Sequence, residues 1–249
     1  MLQPHLKINK IEKYVLLPGD PRRIDKILKY LTDIKEININ REFRSCSGKY
    51  KGMKISMVST GIGCPAAAIA VEELANVGAE ILIRVGTCGG LLKGMQPGDI
   101  VIPEAAMCLD GTTREYNLDI EKIEANKEVM ESLTKAAKRL GIKYFVGINR
   151  THDAFYEPTE NFVKLAGQGF ISSEMECSAV FLVSKLRNLK AGAILVVNTP
   201  ESPEEVLKNP SMVYKLVDEK KVQKGIDTAI KVALEAIRIL EKKNYERNK

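Results

Sequence analysis

The sequence predicts an α/β protein built around a substantially parallel sheet. Three observations carry that expectation. Short apolar runs alternate with stretches of helical periodicity along most of the 249 residues. Neither a linker nor a low-complexity stretch interrupts them before the charged tail. Polar, glycine-containing motifs fall where the apolar runs end, and in such folds ligands collect at the carboxyl ends of strands.

"YVLLPGDPRRIDKIL" (14–28) reads as a short strand, a turn, and a helix capped by Asp20 with Pro21 at its first position, where a missing N–H costs nothing. "REFRSCSGKYKGMKISMVST" (41–60) reads as two strands turning at Lys51-Gly52. A helix runs from about Pro65 to Asn76 and stops at Gly78. "EILIRVG" and "GDIVIPEA" are buried strands. Ala125 to Leu140 forms an amphipathic helix closed by Gly141, and "KYFVGIN" is the next strand. A helix begins near Glu174, "GAILVVN" supplies a further strand, and Val213 to Lys242 is mostly one long helix. Between those last two, "NTPESPEEVLKNPSM" (198–212) is a loop or lid.

With 45% hydrophobic and 28% charged residues, the chain can bury a sizeable core and is expected to form one domain over residues 1–249. The net charge of +6 is spread along the chain, which favours a small anionic ligand over nucleic acid, whose footprint is a basic cluster. No apolar run reaches the roughly 18 residues that span a bilayer, and "MLQPHLKINK" lacks the apolar centre of a signal peptide. Cys46, Cys64, Cys88, Cys108 and Cys177 show no C-x-x-C and read as reduced thiols of a cytoplasmic protein rather than a zinc site.

Several motifs admit two explanations. "GIGCPA" (61–66) satisfies G-x-G-x-x-A between a strand and a helix, but the ribose-binding acid of a dinucleotide site is replaced by Arg84, so a tight turn accounts for it as well. "GDPRR" and "IRVGTCGG" place Arg23 near a helix start and Arg84 at the end of a buried strand, followed by glycines and Thr87. Guanidinium forks, a hydroxyl and glycine-exposed N–H groups suit phosphate; a buried Arg–carboxylate pair, for instance with Asp20, is the alternative. In "SSEMECSAV" (172–180), Ser173-x-x-Glu176 fits a capping box, yet that leaves Glu174 unexplained. A carboxylate can also accept from two adjacent sugar hydroxyls.

Taken in order, "PGDPRR", "REF", "STGIGCPAAAIAVEEL", "RVGTCGG", "GDIVIPEAA", "DAFY" and "EMEC" make the chain similar to the nucleoside phosphorylases of the uridine phosphorylase and hexameric purine nucleoside phosphorylase type. The resemblance implies a central mixed sheet, partly closed into a barrel and flanked by helices. It implies dimers that build hexamers, with active sites shared across the dimer interface. Gly19, Arg23, Arg84 and Thr87 would bind phosphate, joined by Arg41 of the neighbouring subunit. His5 would meet the ribose 5′-hydroxyl across the interface, Met175 would lie against the sugar, and Glu176 would hold the 2′ and 3′ hydroxyls. Phe155 would stack on the base, with Glu174, Asn198 and Thr199 around it; Arg84 and Glu176 would be the catalytic pair. His5, Phe155 and Arg41 also have ordinary explanations as a solvated, a core and a surface residue.

The implied reaction converts nucleoside and inorganic phosphate to ribose 1-phosphate and free base, a salvage and catabolic step needing no metal or organic cofactor. Base choice divides the readings. Purine members place an aspartate, and uridine members an arginine, where this chain has Asn198-Thr199-Pro200. The stretch from Glu157 to Ser173 is short for the uridine-type insert, whereas "REF", "STGIG", "IAVEELANVG" and "CLDG" lie closer to the uridine branch. Uridine phosphorylase is therefore the first expectation and purine nucleoside phosphorylase the second. A nucleosidase and a non-catalytic nucleoside-binding protein stand behind them.

Overall fold

Every residue of β1 (Tyr14–Pro18) is buried, as befits a strand covered on both faces. In the computed structural model, which describes residues 1–116, 119–157, 168–200 and 218–247 together with 160, 164 and 208, β1 lies at the centre of the sheet. It pairs in parallel with β4 (Met53–Val58) on one side and with β5 (Ile81–Gly90) on the other. β5 in turn runs parallel to β10 (Lys190–Pro200) along its whole length.

Antiparallel pairing supplies the rest. β2 (Thr32–Asn40), β3 (Phe43–Tyr50) and β4 form a meander. β3 and β4 turn at Lys51 and Gly52, both at positive φ. β6 (Ile100–Cys108) is antiparallel to β10 and parallel to β8 (Tyr144–Thr151), while β7 (Lys122–Glu124) edges β6. The three residues of β9 (Ser172–Glu174) bridge β8 and β5. The ring β5–β10–β6–β8–β9–β5 therefore closes, giving a five-stranded barrel from which β1, β4, β3 and β2 extend. The sheet is mixed, as the family resemblance implies, and not substantially parallel as the alternation alone suggests. Short hairpins and the reversed β6 account for the difference, because parallel pairs require long crossovers.

Two apolar layers flank the sheet. On one side α2 (Cys64–Asn76) packs with α5 (Cys177–Leu186) through Ala67, Val71, Leu74, Val180 and Val183. On the other, α4 (Lys127–Arg139) packs with α6 (Glu219–Arg247) through Leu133, Ala137, Ile230 and Ile237. α1 (Arg23–Leu28) follows β1, and α3 (Gly111–Glu115) is a single capped turn.

Local expectations change in four places. α1 starts at Arg23 rather than Pro21, because Asp20 uses Oδ1 to accept from Arg22 N (2.9 Å) and so closes the preceding turn. The helix expected near Glu174 starts at Cys177, since pairing with β5 and β8 draws residues 172–174 into β9; Ser173 and Glu176 form no capping box. β2 has mostly exposed side chains on both faces and gives little strand signal. Residues 213–217 of the expected long helix and 201–207 and 209–212 of the proline-rich loop lie outside the described residues. Among the described residues no helix is long and apolar enough to cross a membrane, and all five cysteines are free and buried.

Candidate active site

The strand order β8–β9–β5–β1 brings four segments side by side along one rim of the sheet. They are the segment after β8 with His152 and Phe155, the β9–α5 turn with Met175 and Glu176, β5 with Arg84 and Thr87, and the β1–α1 turn with Gly19 and Arg23. All of these residues line one cavity of about 340 Å³. Asn198 and Thr199 reach it from β10, where a bulge between Val197 and Thr199 breaks the register.

Arg84 is only 4% exposed, so its charge must be met inside the protein. Its Nε donates to Glu174 Oε2 (3.0 Å) and its Nη2 to Glu176 Oε2. The remaining nitrogen, Nη1, is buried without a partner. It lies on the side of Gly19, where an added Cβ would stand 4.0 Å from it. Gly86 is required by the same guanidinium: a Cβ there would come within 2.8 Å of Nη2. The buried ion pair read as one alternative for Arg84 is therefore present, with Glu174 and Glu176 as its acids, while Asp20 turns to Arg22. It leaves one donor over.

The two glutamates differ. Glu174 accepts from Arg84 Nε, Asn149 Nδ2 (2.8 Å), Thr151 Oγ1 (2.7 Å) and the N–H groups of Glu176 (2.9 Å) and Cys177 (3.0 Å). Burial opposes its charge, but Arg84 and these donors prevail and hold its pKa below the usual carboxylate range. Glu176 accepts only from Arg84 and from Gly63 N (2.7 Å). There burial outweighs Arg84 and, together with the charge of Glu174, lifts the pKa above the usual range. Glu174 is committed to its neighbours, whereas Glu176 keeps accepting capacity for something in the cavity. Glu174, expected beside the base, is a brace for Arg84.

Arg23 donates through Nη1 to Val85 O (2.8 Å). Its pKa is lowered to about 10, first by burial and next by the like charge of Arg84. Two guanidinium groups thus repel one another across a space lined by Gly19 and Thr87, and an anion there would relieve both.

His5 and Arg41 are not among the cavity's lining residues. Glu73 accepts from His5 N (3.0 Å) and Leu6 N (2.7 Å) and lies 2.7 Å from His5 Nδ1. Asn40 donates to His5 O (2.7 Å), and the next residue, Arg41, is exposed at φ 54° in the β2–β3 turn. The two residues therefore share one surface patch. Four other lining residues were not assigned to the site: Ile62 and Cys88, which sit inside the quoted "GIGCPA" and "RVGTCGG", and His152 and Glu157, which lie outside any quoted motif. His152 and Glu157 bracket the quoted "DAFY", and proximity to that motif was the available signal.

Among the described residues, one group of side chains could converge on a cation, Cys64, Asp110 and Asp153, with candidate ligand atoms within 4.8 Å. Asp110 is already engaged by Thr113 N (2.7 Å) and Ser178 Oγ (2.6 Å), and Asp153 by Gly111 N (2.7 Å). Burial raises the Cys64 thiol far from its thiolate form. These contacts cap α3 and do not form a metal centre.

Residues 13–238 match the family model described as the Phosphorylase superfamily. The chain belongs to that superfamily. Among relatives of this phosphorylase, a uridine phosphorylase from Thermococcus kodakarensis is 38% identical, with 79% of this chain and 76% of the relative covered. A guanosine phosphorylase from Halorubrum lacusprofundi is 35% identical, with 79% and 83% covered. The crystal structure of a purine nucleoside phosphorylase from Toxoplasma gondii, in complex with immucillin-H, superposes with a TM-score of 0.85 at 31% identity, covering 97% of each chain. The superposition over nearly the whole chain takes in the barrel-centred mixed sheet.

Proposed function

We propose that this phosphorylase cleaves a nucleoside with inorganic phosphate, giving ribose 1-phosphate and the free base. The observation that carries the proposal is the unpartnered Nη1 of Arg84, on the Gly19 side of a cavity that also holds the half-buried Arg23 and the under-committed Glu176. Strand order supports the assignment of parts. Arg23 and Gly19 of the β1 end take phosphate with Arg84 and Thr87 of β5. Met175 and Glu176 beside β9 take the ribose. Phe155 beyond β8 takes the base.

Breaking the glycosidic bond builds oxocarbenium-like charge at C1′. A hydrogenphosphate dianion held under C1′ stabilises that charge and then bonds to it. The glycosidic electron pair leaves with the base, and the phosphate proton, passed through solvent, finally neutralises the base. The arginines contribute chiefly by positioning, which can supply several kcal/mol of the barrier. Glu176 grips the vicinal hydroxyls through charge-assisted bonds worth roughly 1.5–3 kcal/mol each.

Uridine is the first-choice substrate, supported by the 38% identical uridine phosphorylase and by the uridine-like local motifs. Purine nucleosides are the second, favoured by the guanosine phosphorylase at 35% identity. Assay of phosphate-dependent release of uracil, guanine, hypoxanthine and adenine separates them: release of purines alone overturns the uridine choice. Undiminished release without phosphate would mark a nucleosidase, and binding without release a non-catalytic nucleoside-binding protein.

The working unit in this proposal is a dimer, assembling further to a hexamer, in which His5 and Arg41 enter the partner's cavity. Their shared surface patch, with Ile37 and Ile39 exposed on β2, supports it. Five free, buried thiols fit a reducing compartment and support the reading of a cytoplasmic enzyme; residues 1–249 are read as one domain.

A further inference from the structure

Among the described residues, the base end of the cavity offers Asn198 and Thr199 but no evident ionisable group to meet the charge that the departing base acquires. Its ionisable neighbours are engaged elsewhere, Glu176 being assigned to the ribose. Arg150 holds Glu157 through two parallel bonds of 2.6 Å, both side chains at most 9% exposed. Glu174 is saturated, and Glu176 faces Arg84 and Gly63. His152 differs. It lines the cavity with Phe155, three residues on, and its Nδ1 is buried with no hydrogen-bond partner.

We infer that His152 is the base-side hydrogen-bonding residue of this enzyme, donating from its imidazole to an acceptor atom of the nucleobase on which negative charge gathers as the glycosidic bond breaks. The geometry is fixed from two directions. The backbone N–H of His152 donates to Glu174 O (3.1 Å), which ties it to the turn bearing Met175 and Glu176. The Arg150–Glu157 pair clamps the far end of the 152–157 segment onto β8. A buried, unsatisfied nitrogen costs stability, and a base acceptor would satisfy it. Burial, and then the charge of Arg150, lowers the ring's pKa against the opposing pull of Glu157, Glu174 and the nearby Ala154 backbone, whose approach to the ring is too poorly aligned to satisfy Nδ1. The ring is accordingly neutral near pH 7 and offers one N–H and one lone pair. A purine nitrogen and a pyrimidine carbonyl oxygen are both acceptors, so the role holds for either base.

The inference rests on the phosphorolysis reading, and the experiment separates the two. His152→Ala is expected to lower kcat by about 100-fold while leaving KM for phosphate within about twofold, the pattern of a lost transition-state donor. His152→Gln, which restores a side-chain N–H, should recover part of the loss. Independently of turnover, the chain has only two histidines. Their ring ¹⁵N signals can be assigned in wild type by the resonance missing from His152→Gln. Saturating uracil, or hypoxanthine, should shift the His152 ring signal in wild type. Wild-type kcat in His152→Ala, or bound base that leaves the His152 signal in place, overturns the inference alone. No base release from any nucleoside by the wild type overturns the phosphorolysis reading, even where bound base shifts the ring.

Discussion

Glu174 and Glu176 contact the same guanidinium, so replacing each with glutamine tests whether their duties really differ. Glu174→Gln exchanges a carboxylate oxygen for an NH₂ group in a nest of donors. In one orientation it faces Arg84 Nε and the N–H groups of Glu176 and Cys177; in the other it faces Asn149 and Thr151. Either way a buried ion pair loses a partner, which costs about 3–5 kcal/mol. For a chain of this size each kcal/mol moves Tm by about 2–4 °C, so the expected fall is about 6–20 °C. Glu176→Gln removes a carboxylate whose pKa is already raised and which accepts from two groups only. Its stability cost should be about 1 kcal/mol, or about 2–4 °C. Turnover reverses the order of damage in stable protein: losing two charge-assisted bonds to sugar hydroxyls, about 3 kcal/mol together, lowers kcat/KM about 100-fold. Differential scanning calorimetry and steady-state kinetics on both variants measure the contrast. Equal Tm losses, or a Glu174→Gln protein within about 3 °C of wild type, would refute the division of labour.

Phosphate at 100 times its Kd should stabilise the wild type by about 2.7 kcal/mol, seen as a Tm rise of about 5–11 °C, and Arg23→Met should lose most of that rise. The folded-state pKa of His152 is lowered, so the unfolded chain binds the proton more readily below the ordinary value of about 6.5. Stability therefore falls as pH drops through the window beneath that value, and His152→Leu should show a flatter Tm profile between about pH 7 and pH 5. Mixing inactive Arg41→Ala and Glu176→Gln chains under conditions of subunit exchange should restore about a quarter of wild-type activity, because each mixed two-fold dimer rebuilds one intact site. No restoration would place Arg41 outside the partner's cavity.

How much was legible in the sequence depended on how local each determinant is. Strands β5 and β10 announced themselves because both faces are buried, and α4 because its apolar stripe ends before Gly141, although Asn126 proves to be its cap and the helix starts at Lys127 rather than Ala125. β2 gave no such signal: most of its nine residues are exposed, and it exists as a strand because β3 pairs with it. The capping box at Ser173–Glu176 misled for a related reason. A local signature lost to tertiary pairing, since closing the barrel needs residues 172–174 as β9. Candidate site residues at strand ends were visible by type and position. His152 was not, because its relevance lies in an unsatisfied nitrogen and a neighbour's spent carboxylate, which only the folded chain brings together.

The spacing Glu174-x-Glu176 explains why one arginine takes two acids. Residues two apart along an extended chain face the same way, so both carboxylates can reach Arg84, Glu174 from the end of β9 and Glu176 from the turn after it. Were Glu176 its sole acid, each incoming ribose would compete for the carboxylate, and Arg84 would lose its counter-charge at the moment it had to hold phosphate. Glu174 removes that conflict. It fixes the guanidinium through Nε, leaves Nη1 directed to the Gly19 side, and lets Glu176 trade its contact with Nη2 for sugar hydroxyls without stranding a buried cation. The same arrangement couples the two substrates. A phosphate on Nη1 supplies part of the counter-charge that Glu176 gives up, so phosphate should tighten nucleoside binding, and by linkage nucleoside should tighten phosphate by the same factor.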